Sequence, residues 1–150
     1  MPRCAVRDLI DAYAARRAVR EVARQVGFDR SGCQELEIVV SELCSNIVKY
    51  GTSGSVEIEA LADPALGAGV SIVAEDIGPP FRNLELALRD GYDDNGPIDP
   101  LKLLQRRGLG AGLGAVLRLT DSFTLEQDEP QRKRIFVRRY LKRPKPARRR

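Results

Sequence analysis

Glu42 and Asn46 stand four residues apart in SELCSNIVKYG. On a helix that spacing aims both side chains at one spot. A carboxylate and a carboxamide one turn apart can serve as a proton acceptor and as an oxygen ligand for Mg²⁺, a hard cation that prefers oxygen. The same pair is also an ordinary stabiliser of a solvated helix face. At about 100° per residue, Leu36, Val40, Leu43, Cys44 and Ile47 mark a buried arc, and Glu35, Glu42, Asn46 and Lys49 form a line about 130° away.

A second group lies in EDIGPPF. Asp76 keeps the parity of Val70, Ile72 and Ala74, so the strand pattern turns its carboxylate toward the covered face, where it needs a donor. A purine amino group is one such donor; a backbone amide in a turn is another. Gly78 suits a ligand-flanking turn and plain turn chemistry alike. The third group is GLGAGLG, in which Gly108, Gly110, Gly112 and Gly114 alternate with Leu109, Ala111 and Leu113 ahead of a helical pattern. Alternate glycines leave backbone N–H groups bare and let phosphate oxygens approach a positive helix N-terminus. Gly110, Gly112 and Ala115 also fit the dinucleotide fingerprint, but the context does not: LKLLQRR is no buried strand, and the region about 20 residues on is basic where an acid is wanted. No G-x-x-x-x-G-K-[ST] P-loop exists. Arg106 and Arg107 could bring positive charge to a terminal phosphate, or form a solvated pair.

The 150 residues contain no histidine. That excludes a Ser-His-Asp triad, a histidine zinc cluster and a phospho-accepting histidine, and leaves Asp, Glu, Lys, Tyr or Cys as any general base. Cys4, Cys33 and Cys44 are odd in number and form no C-x-x-C, as suits free thiols in a reducing cytosol. No apolar run approaches the ~18–20 residues of a membrane span and no signal peptide opens the chain, so a cytoplasmic protein without a membrane span is expected. Charge is unevenly placed. All 21 acidic residues but only 14 of the 25 basic ones lie in residues 1–131, a net of −7, while residues 132–150 carry 11 basic residues and no acid. The end, RPKPARRR, predicts a disordered tail over 142–150. It is either a solubilising end or an arm for nucleic acid, membrane or an acidic partner. With no basic-aromatic stripe in the body, nucleic-acid binding is not expected.

The elements that must position these groups follow from periodicity. Val6, Leu9, Ile10, Tyr13, Ala14, Val19, Val22, Ala23 and Val26 predict a first helix of about five turns, closed at Gly27. Ser31 and Gln34 resemble a capping box opening a second helix over 34–50, closed by Gly51. Thr52, Ser53 and Gly54 read as a turn, SVEIEALA as a half-buried strand, residues 64–69 as a second turn and GVSIVAED as the next strand. Residues 81–107 form a long polar connection with room for two short helical pieces, the length of a lid or binding loop. A helix over about 111–120 and two strands, SFTLEQ and KRIFVRRYL, complete the chain. Grouped helices beside paired strands predict an α+β fold: a two-layer sandwich with helices on one face of a mostly antiparallel sheet.

SELCSNIVKYG, EDIGPP and GLGAGLGAVLRLTD, in that order with a lid before the last, resemble the N, G1 and G2 boxes of the GHKL ATP-binding superfamily. Within it the chain is similar to the bacterial serine/threonine switch kinases of the RsbT type, and next to the anti-sigma-factor kinases of the RsbW and SpoIIAB type. The likeness runs from about Asp8 to Tyr140. It implies the Bergerat ATP-binding fold over residues 1–141, with the lid at 81–107. It implies ATP with Mg²⁺ as cofactors, Glu42 as general base, and Asn46 as holder of the metal. Asp76 would accept the adenine amino group with Gly78 beside it, and the amides of Gly108, Leu109, Gly110, Ala111, Gly112 and Leu113 would line the phosphates, with Lys49 and Arg107 adding charge. The implied substrate is a serine or threonine of a STAS-domain antagonist protein. A sigma factor, a PP2C-type phosphatase and a second copy of the chain are further partners of such proteins, and some relatives act chiefly as nucleotide-tuned binders. The chain departs from the pattern in three places. Pro80 replaces the second glycine of D-x-G-x-G, although Phe81 fits the D-x-G-x-x-F form of anti-sigma relatives. DDNGPIDPLKLLQ reads as a lid insertion. About seven residues precede the first helix, where relatives carry an edge strand that here is either short or cut off.

Overall fold

Two-residue alternation along four long segments builds the sheet on which everything else rests. The computed structural model describes residues 3–50, 53–78, 92–93, 96–97, 112–129 and 132–144. In chain order these are β1 (Arg3–Val6), α1 (Asp11–Val26), α2 (Arg30–Tyr50), β2 (Ser53–Asp63) and β3 (Gly67–Ile77), followed by the two-residue strands β4 (Tyr92–Asp93) and β5 (Gly96–Pro97). The chain then continues through α3 (Leu113–Leu119), β6 (Ser122–Glu129) and β7 (Arg132–Tyr140). The main sheet has the order β1-β2-β3-β7-β6. Every pairing in it is antiparallel, and β4 pairs with β5 as a separate ribbon. The expected α+β sandwich is the observed architecture.

One face of the sheet is apolar and covered. Val56 and Ile58, Val70, Ile72 and Ala74, and Ile135 and Val137 pack with Leu36, Val40, Leu43 and Ile47 of α2 and Val19 of α1 in one core. Each such aliphatic side chain stabilises the fold by about 1.5–3 kcal/mol on burial. The opposite parity faces solvent with a charge ladder, in which Glu75 meets Arg132 at 3.1 Å and Arg134 at 3.2 Å. Helix α2 is central. It packs against α1, α3 and strands β1–β3, so it buries far more than a single stripe.

Several boundaries differ from those expected, each for a local reason. The first helix begins at Asp11, not near Val6. Val6 lies in the short edge strand β1 opposite Gly54, and the Asp8 carboxylate captures the N–H groups of Ile10 and Asp11 at 3.0 and 3.1 Å, bending the chain between strand and helix. The second helix begins at Arg30. Its first turn is held not by Ser31 with Gln34 but by Asp29, whose Oδ1 accepts the Gly32 N–H at 2.8 Å. Gly27 closes α1 as expected, its N–H reaching the carbonyls of Ala23 and Arg24. Ser53 and Gly54 are strand, not turn, paired with Ile77 and Asp76. Likewise Gly67 to Gly69 belong to β3, leaving a turn of three residues held by Asp63, which accepts the N–H groups of Ala65 and Leu66. Ala60 shares the parity of Val56 and Ile58 but is exposed. Gly51, Thr52, most of the 81–107 connection and residues 145–150 lie outside the described residues.

Helix α3 is held at its C-terminal end by arginines. Arg139 Nη1 donates to the Leu119 carbonyl at 2.9 Å and to Glu35 of α2 at 2.7 Å. Arg143, inside the stretch expected to be tail, binds Asp121 at 2.9 Å and donates to the carbonyls of Arg118 and Thr120. Cations here complement the negative end of the helix dipole.

Gly54 sets how closely α2 approaches the sheet. A Cβ at this position would lie 2.5 Å from the Glu75 carbonyl oxygen, 2.6 Å from Ile47 Cγ2 and 3.2 Å from the Asp76 Cβ. The first of these is backbone and cannot swing aside. Gly54→Ala is expected to lower stability by about 1–3 kcal/mol, the range of overpacked cores. Denaturant midpoints check this, and an unchanged midpoint would mean that α2 can lift from β2 freely.

Candidate functional site

Glu42 and Asn46 face inward. Glu42 is 3% exposed and Asn46 8% exposed, which rules out a solvated helix face. The line expected to run from Glu35 to Lys49 is graded: its middle is buried, Glu35 is half-buried and Lys49 is exposed. The cause is packing by α1 and α3 on either flank of a helix that already lies on the sheet. A buried carboxylate costs several kcal/mol unless answered by partners. Cys44, between them in sequence, is no competitor as a base: burial pushes its thiol up to about 12. The thiols of Cys4 and Cys33 are also raised, again chiefly by burial.

Asp76 is placed on the covered face as its parity predicts and is 3% exposed. It sits beside Gly54, over which Ile47 of α2 packs, so the α2 segment following Asn46 and the end of β3 are neighbours. Gly78 is buried in the bend after β3. Gly112 is the residue before α3, at φ 65° and ψ −152°, a conformation that favours glycine. Leu113 is buried at the first position of α3. Helix α3 packs on α2. Helix α2 thus carries the buried pair, lies beside the Asp76 end of β3 and packs against α3. Arg107, Gly108, Leu109, Gly110 and Ala111 lie outside the described residues.

Lys133 was not singled out from the sequence. It lies opposite Asp76 in the β3–β7 register, with its Nζ 3.7 Å from Asp76 Oδ1 and both side chains buried. The signal was available: in KRIFVRRY, Lys133 and Arg139 share the parity of the inward Ile135 and Val137. Reading the segment as part of a basic terminus obscured it. Burial drives the Asp76 carboxyl up to about 6, against the opposing pull of Lys133.

The donors near Asn46 are oxygen atoms of a carboxamide and a carboxylate, which suits Mg²⁺. Among the described residues no group of three or more His, Cys, Asp or Glu side chains could hold a metal by itself. A magnesium ion would therefore need ligands from its nucleotide as well as from Asn46.

The histidine kinase-like ATPase domain family matches residues 6–139. The chain belongs to this family. Among curated relatives of the ATPase domain is the serine/threonine-protein kinase RsbT of Bacillus subtilis, 36% identical over 115 residues that cover 77% of each chain. Among solved structures, the crystal structure of the SiaB–SiaC complex from Pseudomonas aeruginosa aligns with a TM-score of 0.57 at 15% identity, over 93% of this chain and 89% of that one. Full-length ShkA in complex with AMPPNP aligns with a TM-score of 0.50 at 16% identity, over 85% of this chain and 28% of that one. At these identities the two structures speak for the fold. Among the described residues of the ATPase domain, no helix is long and apolar enough to cross a membrane.

The raised carboxyl of Asp76 makes stability depend on pH. A folded-state value above the unfolded one means that the native state binds the extra proton, so stability falls as pH rises between about 4 and about 6. Asp76→Asn removes this slope. Melting temperatures of wild type and variant across that window check it; parallel curves would show that Asp76 titrates normally.

Proposed function

We propose that the chain is an ATP- and Mg²⁺-dependent serine/threonine protein kinase of a bacterial partner-switching module, and that it phosphorylates a serine or threonine of a STAS-domain antagonist protein. The observation that carries this is the buried Glu42–Asn46 pair on the central helix of an ATPase domain related to RsbT. In a kinase an interior carboxylate one turn from a carboxamide has two uses.

Phosphoryl transfer asks little covalent chemistry of the protein; positioning and charge neutralisation dominate. The substrate hydroxyl oxygen attacks the γ-phosphorus, the bond from that phosphorus to the β,γ-bridging oxygen breaks, and ADP leaves. Glu42 takes the hydroxyl proton. Asn46 would hold Mg²⁺, whose chemistry is to neutralise charge on the phosphates. Asp76 accepts a hydrogen bond from the adenine amino group, with Gly78 alongside. The amides from Gly108 to Leu113 line the phosphates, and the left-handed turn at Gly112 aims backbone N–H groups that a side chain there would misdirect. Lys49 and Arg107 add positive charge at the edge. Residues 81–107 would serve as the lid.

Downstream, the dephosphorylated or phosphorylated antagonist would decide whether this protein is sequestered or free to act on a further partner, a sigma factor or a PP2C-type phosphatase. Under this reading the protein works in the cytoplasm, where its partner proteins are.

Glu42→Ala is expected to bind Mg-ATP as wild type does and to lose transfer by about 10²–10⁴-fold, the contribution of a positioned general base. The check is phosphoserine or phosphothreonine on a purified candidate STAS partner, read by mass spectrometry alongside calorimetry with Mg-ATP. Transfer at the wild-type rate in the variant removes Glu42 from the reaction. A stable wild-type complex with the partner and no phosphate would make the protein a nucleotide-tuned binder.

A further inference from the structure

Helix α3 is seven residues long, too short to stand in water on its own hydrogen bonds. The last carbonyls of any helix also lack partners in its ladder. Here they are answered from elsewhere. The Thr120 hydroxyl donates to the Val116 carbonyl at 2.7 Å, and Arg139 donates to that of Leu119 at 2.9 Å. Arg143 takes the remaining two: its Nη2 donates to the carbonyls of Arg118 and Thr120, each at 3.2 Å, while its Nε meets Asp121 Oδ1 at 2.9 Å. Asp121 is itself fixed. Its side chain is 4% exposed, its other oxygen accepts the Tyr140 N–H at 2.7 Å, and its own N–H donates to the Arg138 carbonyl at 2.7 Å. The chain leading to Arg143 is tied as well, because the Leu141 N–H donates to the Ala68 carbonyl at 2.8 Å. Arg143 is therefore not the start of a loose basic tail. It is the last link of a clasp running from the sheet to the C-terminal end of α3.

A cation near a helix C-terminus has a plain use in complementing the dipole, for which position matters little within the last turn. The contacts of Arg143 are more demanding. A planar guanidinium presents its donors in a fixed fork, and this one spans a buried carboxylate and two carbonyls, so it sets orientation as well as charge. The opposite end of α3 is entered through Gly112 at φ 65°. Seven residues make a rod of about 10 Å, so a tilt at one end is carried to the other. We propose that Arg143 is a positioning residue of the nucleotide site: by clasping Asp121 and the last carbonyls of α3, it fixes the direction in which the glycine entry of that helix meets the phosphates. This rests on reading the site as an ATP site with its phosphates at that entry. Arg143 acts through α3, from its far end, and not by contact with the nucleotide.

The test combines calorimetry with Mg-ATP and amide hydrogen exchange of the nucleotide-free full chain. Wild type, Arg143→Ala, Arg143→Lys and Asp121→Asn are compared, with thermal melts to establish that each is folded. Arg143→Ala is expected to bind Mg-ATP roughly 2- to 30-fold more weakly, the range over which residues remote from a ligand shift its affinity. Arg143→Lys recovers part of that loss. In Arg143→Ala the amides of α3 exchange faster, while those of α2, β2 and β3 keep their wild-type rates. Asp121→Asn separates position from charge. Removing an acid would favour an anionic nucleotide by charge alone, whereas a broken clasp weakens binding, and weaker binding is the expected result. Equal Mg-ATP affinity in a folded Arg143→Ala overturns the positioning role and leaves the ATP site standing. So does tighter binding by Asp121→Asn, or exchange in Arg143→Ala that is unchanged in α3 or raised throughout the chain. Should Asp121→Asn not fold, the exchange pattern of Arg143→Ala decides. An Arg143→Ala chain that does not fold makes Arg143 a structural residue and overturns the proposal too. Failure of wild type to bind Mg-ATP overturns the ATP site, and the part of Arg143 with it.

Discussion

A charged or polar group inside a protein must be answered, and this fold is organised around that demand. Glu42, Asn46, Asp76, Lys133 and Arg139 are all buried in a domain whose core is otherwise mostly aliphatic. Helix α2 makes this unavoidable for Glu42 and Asn46. It lies on the sheet and is flanked by α1 and α3, so the middle of its polar stripe is interior. Desolvation of a carboxylate costs more than any single aliphatic contact in the core returns. The core therefore carries a standing cost at this point, and the pairings around it limit that cost.

The sheet topology supplies the partners. β3 and β7 are far apart in sequence and adjacent in space, and their antiparallel register sets Asp76 against Lys133. The same strand, six residues on, sends Arg139 to Glu35 of α2 and to the last carbonyl of α3. β7 thus bears one buried ion pair with the end of β3 and one pair that fixes the two helices relative to each other. Gly54 completes the arrangement from β2, letting Ile47 and Asp76 approach the same point. A helix held at one end by arginines and entered through a left-handed glycine at the other has little freedom to tilt.

Much of this was legible in the residues. The parity of Asp76 with Val70, Ile72 and Ala74 placed it on the covered face, and it is there. The apolar arc of α2 from Leu36 to Ile47 is buried as its spacing required. Gly27 ends α1, and the α+β layering followed from the grouping of helices and strands. The misreadings share a cause. Val6 fits a helical period as well as it fits a four-residue strand, and only Asp8, turning the chain by accepting two backbone N–H groups, separates the two. Asp29 out-competed Ser31 as a helix cap because its carboxylate reaches the Gly32 N–H. Ser53 and Gly54 look like a turn in isolation and become strand because β1 and β3 are there to pair with them.

Local chemistry, then, was set by the residues themselves: which groups could accept a proton, ligate an oxygen-loving cation or leave backbone amides bare, and which face of each element was apolar. Spacing along a chain reports that directly, because i, i+2 and i, i+4 neighbours are fixed by backbone geometry. What tertiary structure alone decided was the environment of those groups. Whether Glu42 and Asn46 met water or protein depended on α1 and α3 packing alongside α2. That Asp76 faced a lysine depended on the register between strands more than fifty residues apart in the chain. Burial and cross-strand pairing are properties of elements brought together from a distance, and no periodicity within one element encodes them.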